Sequence, residues 1–352
     1  MTRQAQVGTD DPGPAISIVV PMYDEAEVLD GFFSRLCAVL EPLARNLGRS
    51  YEIICVNDGS RDDTLARLMH HRQDNPAIKI LDLSRNFGKE IALTAGLDHA
   101  RGAAVIPMDA DLQDPPELIP ELVARWLEGH DVVYATRQSR SGDSLAKRVT
   151  ASWFYRLHNK LAEVEIPRDT GDFRLMDQRV IEALRQLPER HRFMKGLFAW
   201  VGYRQASVAY RREERSAGQS KWRYWRLWNF ALDGITSSST LPLRIWTYVG
   251  CAIAAVAFLY GLTLISLTLI QGNDVPGYAS LMVAVLFFGG INLVGLGVLG
   301  EYIGRIYGET KQRPLYLLQQ TIGFDGSDKT RREWNDKSTS EWRRLKTGTG
   351  GS

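Results

Sequence analysis

Net charge is nearly absent: 43 Lys and Arg face 41 Asp and Glu in 352 residues, a balance of +2. The balance is too even to suggest a nucleic-acid binder on charge alone. Cysteine is scarce as well. Cys37, Cys55 and Cys251 stand singly in apolar surroundings, with no CxxC and no even-numbered framework, which argues against a disulfide scaffold and for a reducing compartment. Residues Met1–Pro14 lack an apolar core and carry Asp10 and Asp11, which excludes a signal peptide or anchor there and leaves a disordered tail. Finally, charged side chains vanish altogether from Ile245–Ile270 and Ala279–Leu299. The chain thus divides into a part built for water and a part built for another solvent, with room for one or two domains.

The water-soluble part alternates short apolar runs with helical periodicity. Ile16–Val20, Tyr51–Val56, Ile78–Leu81, Ala103–Pro107 and Asp131–Ala135 read as strands, and the segments between them carry apolar residues at helical spacing. Strands separated by helices imply βαβ crossovers and a mostly parallel sheet covered on both faces. Polar residues gather where the strands end, at Tyr23-Asp-Glu25, Asn57-Asp58, Ser84-Arg-Asn86, Asp109-Ala-Asp111 and Arg137. Each cluster alone is ordinary turn chemistry, but five in register form one rim, the edge at which open α/β sheets bind ligands.

Met108-Asp-Ala-Asp-Leu-Gln-Asp-Pro-Pro-Glu117 is the centre of that rim. Residues two apart on a strand share a face, so Asp109 and Asp111 aim two carboxylates at one point. With the amide oxygen of Gln113 they suit Mg²⁺ or Mn²⁺, the remaining ligands coming from a nucleotide diphosphate. The competing reading is a solvated turn in which Asp114 caps the helix introduced by Pro115 and Pro116.

Val20-Pro-Met-Tyr-Asp-Glu25, Val56-Asn-Asp-Gly-Ser60, Ser84-Arg-Asn-Phe-Gly-Lys89 and the Met108–Glu117 stretch resemble the inverting GT-A glycosyltransferases of family 2. The likeness is strongest to the polyisoprenyl-phosphate branch, with its dolichol-phosphate mannose synthases and bactoprenol glucosyltransferases, and runs from about Ile16 to about Arg313. Asp24 stands where many relatives have Asn, and Asp114 where mannose synthases often have His. The resemblance implies that Pro21, Tyr23 and Glu25 flank the base and ribose of the donor, that Asp58 accepts from the base N–H, and that Arg85 and Lys89 belong to the donor side. It also implies Asp109, Asp111 and Gln113 as metal ligands and Asp172 as a catalytic residue. A base role for Asp172 is hard to justify, because a phosphate monoester acceptor, with a second pKa near about 6, is already an anion at cytoplasmic pH. Uracil and guanine both present an imide-type N–H to a carboxylate, so the nucleotide stays open.

On the acceptor side, Lys147, Arg148 and Ser152 fall on adjoining turns of an expected helix whose other residues, Trp153, Phe154 and Leu157, are apolar. That combination fits a phosphate on a greasy chain, and the resemblance selects Arg137, Arg148 and Ser152 as its contacts. Arg211–Arg223 resembles the loop that closes over diphosphate and acceptor, with Arg215 and Lys221 as phosphate contacts. Trp222, Trp225 and Trp228 recur beside Arg223 and Arg226, as in a helix lying among lipid headgroups. The two uncharged runs are each long enough to cross a hydrocarbon core, which takes roughly 20 residues. Gly289, Gly290, Gly295 and Gly297 would let the helices approach closely and hint at a homo-oligomer. Arg244 before the pair, and Arg305, Lys311 and Arg313 after it, face a connecting loop without Lys or Arg, which puts the catalytic domain and both termini in the cytoplasm.

The expected organisation is therefore a tail (1–14), a GT-A catalytic domain (15–212), an acceptor loop and juxtamembrane helix (213–243), a multi-pass hairpin in the inner or plasma membrane (244–307) and an irregular cytosolic tail (308–352). The expected activity is inverting, metal-dependent transfer of a sugar from a nucleotide diphosphate sugar such as UDP-glucose to polyisoprenyl phosphate. Two rivals remain. A processive polysaccharide synthase lacks its usual Gln-x-x-Arg-Trp here, with Gln219-Ser-Lys-Trp222 the nearest string. A non-catalytic membrane scaffold that kept a nucleotide-binding fold has no need of an intact Asp109, Asp111 and Gln113 set.

Overall fold

The computed structural model describes residues 13–137, 170–210 apart from positions 188, 191 and 193, 241–271 and 277–324. Strands and helices alternate at first: β1 (Ile16–Met22), α1 (Leu29–Leu47), β2 (Tyr51–Asn57), α2 (Thr64–Asp74), β3 (Ile78–Leu83), α3 (Lys89–His99), β4 (Ala104–Pro107), α4 (Ile119–Leu127) and β5 (Val132–Arg137). After them come β6 (Thr170–Asp177), α5 (Gln178–Arg185), α6 (Met194–Trp200) and β7 (Gln205–Tyr210). Two long helices follow, α7 (Leu241–Gln271) and α8 (Tyr278–Thr310), and then a last strand, β8 (Leu318–Ile322).

All eight strands join one sheet in the order β7-β5-β6-β4-β1-β2-β3-β8. The first four pair in parallel, as βαβ crossovers require. Beyond β4 the expected continuation fails. β6 lies between β4 and β5 and runs antiparallel to both, β5 and β7 are parallel, and β8 is antiparallel to β3. The sheet is mixed, with β6 and β8 reversed against the other six strands; an antiparallel strand enters its slot without a helical crossover and so leaves no βαβ signature in the sequence.

Alternate residues of the central strands feed two cores. Ile18, Val20 and Met22 meet Phe32, Leu36 and Leu40 of α1 and Ile119 and Leu122 of α4. Val19, Ile54 and Val56 meet Leu93 of α3, Val180 and Leu184 of α5 and Phe198 of α6. A sheet covered on both faces explains why these strands read as unbroken apolar runs. At its amino edge the buried polar groups satisfy one another: the Glu52 carboxylate accepts from Ser17 Oγ, from the Arg101 amide at 2.8 Å and from Lys79 Nζ at 2.6 Å.

Residues read as an irregular tail after Pro314 supply β8. The Ser84 amide donates to the Leu317 carbonyl at 2.9 Å, and Glu309, at the end of α8, accepts from the Arg190 amide at 2.9 Å. The chain thus returns from the long helices to the catalytic sheet. Among the described residues one helical segment, Leu281–Thr310 in α8, is long and apolar enough to cross a bilayer, whereas the apolar stretch of α7, Tyr248–Thr263, is shorter. Of the four glycines expected to bring the helices together, Gly295 receives the Trp246 ring of α7, while Gly289, Gly290 and Gly297 face open space.

Gly96 lets α3 lie directly on β1. A Cβ there would sit 2.2 Å from Val19 Cγ1 and 3.1 Å from Val56 Cγ2. Overpacking of this kind costs about 1–3 kcal/mol, against a helix-propensity gain of about 1 kcal/mol. Gly96→Ala is expected to lower the melting temperature of the catalytic domain; an unchanged or raised value contradicts this packing.

Candidate active site

Because β4, β1, β2 and β3 are parallel neighbours, the loops that follow them share one edge. Backbone bonds tie these loops to the sheet: the Asp58 amide donates to Met22 O at 2.9 Å and the Met108 amide to Val19 O at 3.0 Å. Asp24 adopts a left-handed backbone, φ 53°, a conformation that Asn and Asp accept more readily than other side chains, and its carboxylate receives the Arg61 amide at 2.8 Å. Pro21, Tyr23 and Glu25 are half-buried along this first loop. Gly59, at φ 63°, brings the second loop against the third so closely that a Cβ would lie 2.5 Å from the Arg85 carbonyl carbon.

Asp58 is buried, and its two oxygens accept from the Phe87 and Gly88 amides at 2.7 and 2.9 Å. Burial pushes its pKa up, against the pull of those two bonds and of Arg85. The carboxylate expected to read the donor base therefore also holds the loop that delivers α3. Each oxygen keeps a second lone pair for a base N–H. Arg85 lies over the Phe87 ring, 4.0 Å from its centre.

In the acidic stretch exposure alternates: Asp109, Asp111 and Gln113 are half-buried, while Ala110, Leu112 and Asp114 are buried. The Asp111 carboxylate accepts the Gln113 amide at 3.1 Å around Leu112, which is left-handed at φ 57°. Asp114 does not cap the turn at Pro116–Leu118, which has no side-chain cap; it accepts instead from the Tyr210 hydroxyl at the end of β7.

The antiparallel pairing of β6 carries a further carboxylate to this rim. Ala104 lies opposite Asp177 and Val105 opposite Met176, so the same register, continued, sets Asp109 across from Asp172. Lys89, the first residue of α3, closes the gap, its Nζ 2.8 Å from the Asp109 carboxylate and 2.8 Å from Asp172 Oδ2. Burial disfavours the lysine charge, but Asp109 and Asp172 together outweigh it and raise its pKa above the ordinary range. For Asp172, burial pushes upward and is overcome by Lys89, Lys195 and Arg174, which leaves the carboxyl at about 2. Its other oxygen, Oδ1, is buried without a hydrogen-bond partner among the described residues.

Three neighbours escaped the sequence reading. Arg174 is buried, donates to Gly171 O at 2.7 Å, lies 4.3 Å from the Phe198 ring centre, and has its pKa pushed down to about 10 by burial against Asp172 and Tyr134. Lys195 on α6 bears on both Asp172 and Glu90. Glu90 accepts the Met194 amide at 3.3 Å, and its pKa is pushed up to about 7 by burial and then by Asp172, against Lys89, the Met194 bond and Lys195. The period-two alternation of Phe173 and Leu175 with Asp172 and Arg174 was the available sign of β6. Arg137 ends β5, and its side chain lies outside the described residues, as do Arg148, Ser152, Arg215, Lys221, Trp222, Trp225 and Trp228.

No three His, Cys, Asp or Glu side chains converge on a metal position among the described residues. The candidate set is leaner, two carboxylates and an amide oxygen, which suits a hard cation that takes further oxygens from a substrate. Asp109 already binds a cation, the Lys89 ammonium, so this corner of the rim accepts positive charge.

A parallel core with an acidic carboxyl edge and an antiparallel strand beside it is the architecture of an α/β protein that binds its ligand at that edge. Residues 17–185 match the model of glycosyl transferase family 2, and residues 241–306 match that of the GtrB C-terminal hairpin. An uncharacterised glycosyltransferase of Synechocystis is 59% identical over 88% of this chain and 96% of its own. The SfII prophage-derived bactoprenol glucosyl transferase of Shigella flexneri is 51% identical over 87% of this chain and 98% of its own. The crystallised mannosyltransferase of Pyrobaculum calidifontis in complex with GDP-Man and Mn²⁺ is 15% identical, over 89% of this chain and 92% of that one, at a TM-score of 0.43. The chain belongs to glycosyl transferase family 2, in its polyisoprenyl-phosphate branch, and is a hexosyltransferase.

Glu90 gives the catalytic domain a distinct pH response. Its folded pKa, about 7, lies above the ordinary glutamate value of 4.5, so its contribution is fully present below about pH 4.5 and is lost as pH rises through about 7. Glu90→Gln keeps an acceptor for the Met194 amide and removes that dependence. Its melting temperature relative to wild type is expected to increase between pH 5 and pH 8; a constant difference contradicts the assignment.

Proposed function

We propose that this enzyme transfers a hexosyl group from a nucleotide diphosphate sugar, UDP-glucose or a similar donor, to a polyisoprenyl phosphate such as undecaprenyl phosphate at the cytoplasmic face of a membrane. The observation that carries the reading is the meeting of Asp109 and Asp172 around one cation, with Asp111 and Gln113 alongside, in a relative of bactoprenol glucosyl transferases.

Pro21, Tyr23, Glu25 and Asp58 line the side on which the base and ribose would lie, and Arg85 and Lys89 stand beside the diphosphate. Asp109, Asp111 and Gln113 would hold Mg²⁺ or Mn²⁺, which offsets the charge that gathers on a departing diphosphate. The acceptor's phosphate oxygen attacks the anomeric carbon as the bond from that carbon to the diphosphate oxygen breaks on the opposite face, and the configuration inverts. Arg137, Arg148, Ser152, Arg215 and Lys221 are the proposed contacts of the two phosphate groups. No proton need leave the acceptor, since its second pKa is near about 6. A carboxylate at about 2 is also a poor match to the neutral-range pKa of an effective base, so Asp172 serves as the anion that fixes Lys89.

The membrane assignment rests on Leu281–Thr310, where Leu281, Val283 and Leu293 are 66%, 67% and 71% exposed. In water such a surface would be a severe liability; in hydrocarbon it is the expected one. With Ile245–Ile270 as the other span and basic residues on both flanks, the hairpin crosses twice, leaves both termini and the catalytic domain in the cytoplasm, and holds the rim near the headgroups.

Labelled UDP- and GDP-sugars offered with undecaprenyl phosphate in detergent micelles test the reading. Transfer is expected from one nucleotide class, lost on chelation and restored by Mg²⁺ or Mn²⁺. Asp111→Ala is expected to lose several orders of magnitude in turnover, and wild-type turnover by that variant would refute the metal assignment.

A further inference from the structure

Lys89 holds a position that donor contact alone does not explain. Its Nζ lies 2.8 Å from one carboxylate of the proposed metal set, Asp109, and 2.8 Å from Asp172. Two anions, one in the loop after β4 and one on β6, are thus joined through a cation that the protein itself provides. The lysine side chain remains 45% exposed, against 17% for Asp172, and its four-carbon stem rotates freely. It can leave Asp109 without disturbing the core. Its anchor is rigid: Gly88, at φ 98°, precedes it, and Asp58 fixes the Phe87 and Gly88 amides.

We infer that Lys89 is an exchangeable internal cation that occupies the Asp109 carboxylate until a nucleoside diphosphate arrives, and so makes metal binding and donor binding depend on each other. The coupling is electrostatic. A divalent ion approaching Asp109 in the absence of donor meets an ammonium already paired with that carboxylate, and like charges at such separations repel strongly. A diphosphate offers the ammonium new oxygen partners. When Lys89 turns from Asp109 to the diphosphate it vacates the ligand that the metal needs. Asp172 keeps the ammonium at the rim during the exchange.

The inference rests on the metal reading above, and the test separates the two. Mn²⁺ binding to the full chain in detergent is followed by electron paramagnetic resonance, alone and with saturating UDP or GDP. In wild type, nucleotide is expected to tighten Mn²⁺ binding by about tenfold or more, within the usual range of coupling between sites. Lys89→Met is expected to bind Mn²⁺ alone about tenfold more tightly than wild type and to lose most of the tightening by nucleotide. Lys89→Arg, which keeps the charge, is expected to behave as wild type, and melting curves of both variants verify folding. If Mn²⁺ binds wild type but Lys89→Met holds Mn²⁺ alone equally or less tightly, the inference is overturned and the metal reading stands. If wild type binds no Mn²⁺ even with nucleotide, both fall.

Discussion

Like charges facing each other across adjacent strands need a counter-charge, and the arrangement of this catalytic domain follows from where that counter-charge comes from. Asp109 and Asp172 are brought opposite one another by the antiparallel register of β4 and β6. The ammonium between them comes from a third element, the first residue of α3. Its placement is fixed from a fourth, since Asp58 at the end of β2 grips the two amides that lead into α3. Gly59 then allows the loops after β2 and β3 to touch backbone to backbone. Three loops and strand β6 are thus locked by a short chain of charge-assisted bonds, which are among the stronger polar contacts available to a protein.

The two edges of the sheet treat buried charge in opposite ways. At the amino edge the buried Glu52 carboxylate is engaged on both oxygens, by Ser17 and the Arg101 amide on one and by Lys79 on the other. At the carboxyl edge Asp172 keeps one oxygen without a partner among the described residues, and Glu90 is pushed up to about 7. Perturbed and incompletely satisfied groups concentrated at one edge are characteristic of functional sites. The same asymmetry separates a structural network from a working one without appeal to any relative.

Much of this was legible in the sequence, and the limits have a physical pattern. The five polar clusters at strand ends were visible because parallel strands with short loops put chemistry and chain order in the same place. Asp109 and Asp111 were expected to share a face by strand periodicity; β4 ends at Pro107, and both are half-buried in the turn that follows, where Leu112 is left-handed. What failed was long-range pairing. The competing reading of Asp114 as a helix cap could not be weighed against its bond to Tyr210, which is 96 positions away. β6 was missed because it enters the sheet against the direction of its neighbours, so Lys89 and Asp172 could not be seen as partners. Of the glycine-rich run in α8, Gly295 alone of the four meets a ring from the other helix; a run of small residues signals the capacity for close approach and not the contact itself.

The antiparallel pairing of β8 with β3 also bears on how the molecule is made. Strand β3 is complete at Leu83, but the strand that covers it ends at Ile322, after α7 and α8. During synthesis the sheet therefore emerges with an open flank from Leu83 until Leu318 has been added, and an uncovered strand edge is a template for unwanted association. Closure of that flank waits until both apolar helices have left the ribosome, so helix placement precedes the final step of sheet assembly. A ribosome stalled before Pro314 would hold a catalytic domain with every rim carboxylate present and its outer strand still unpaired.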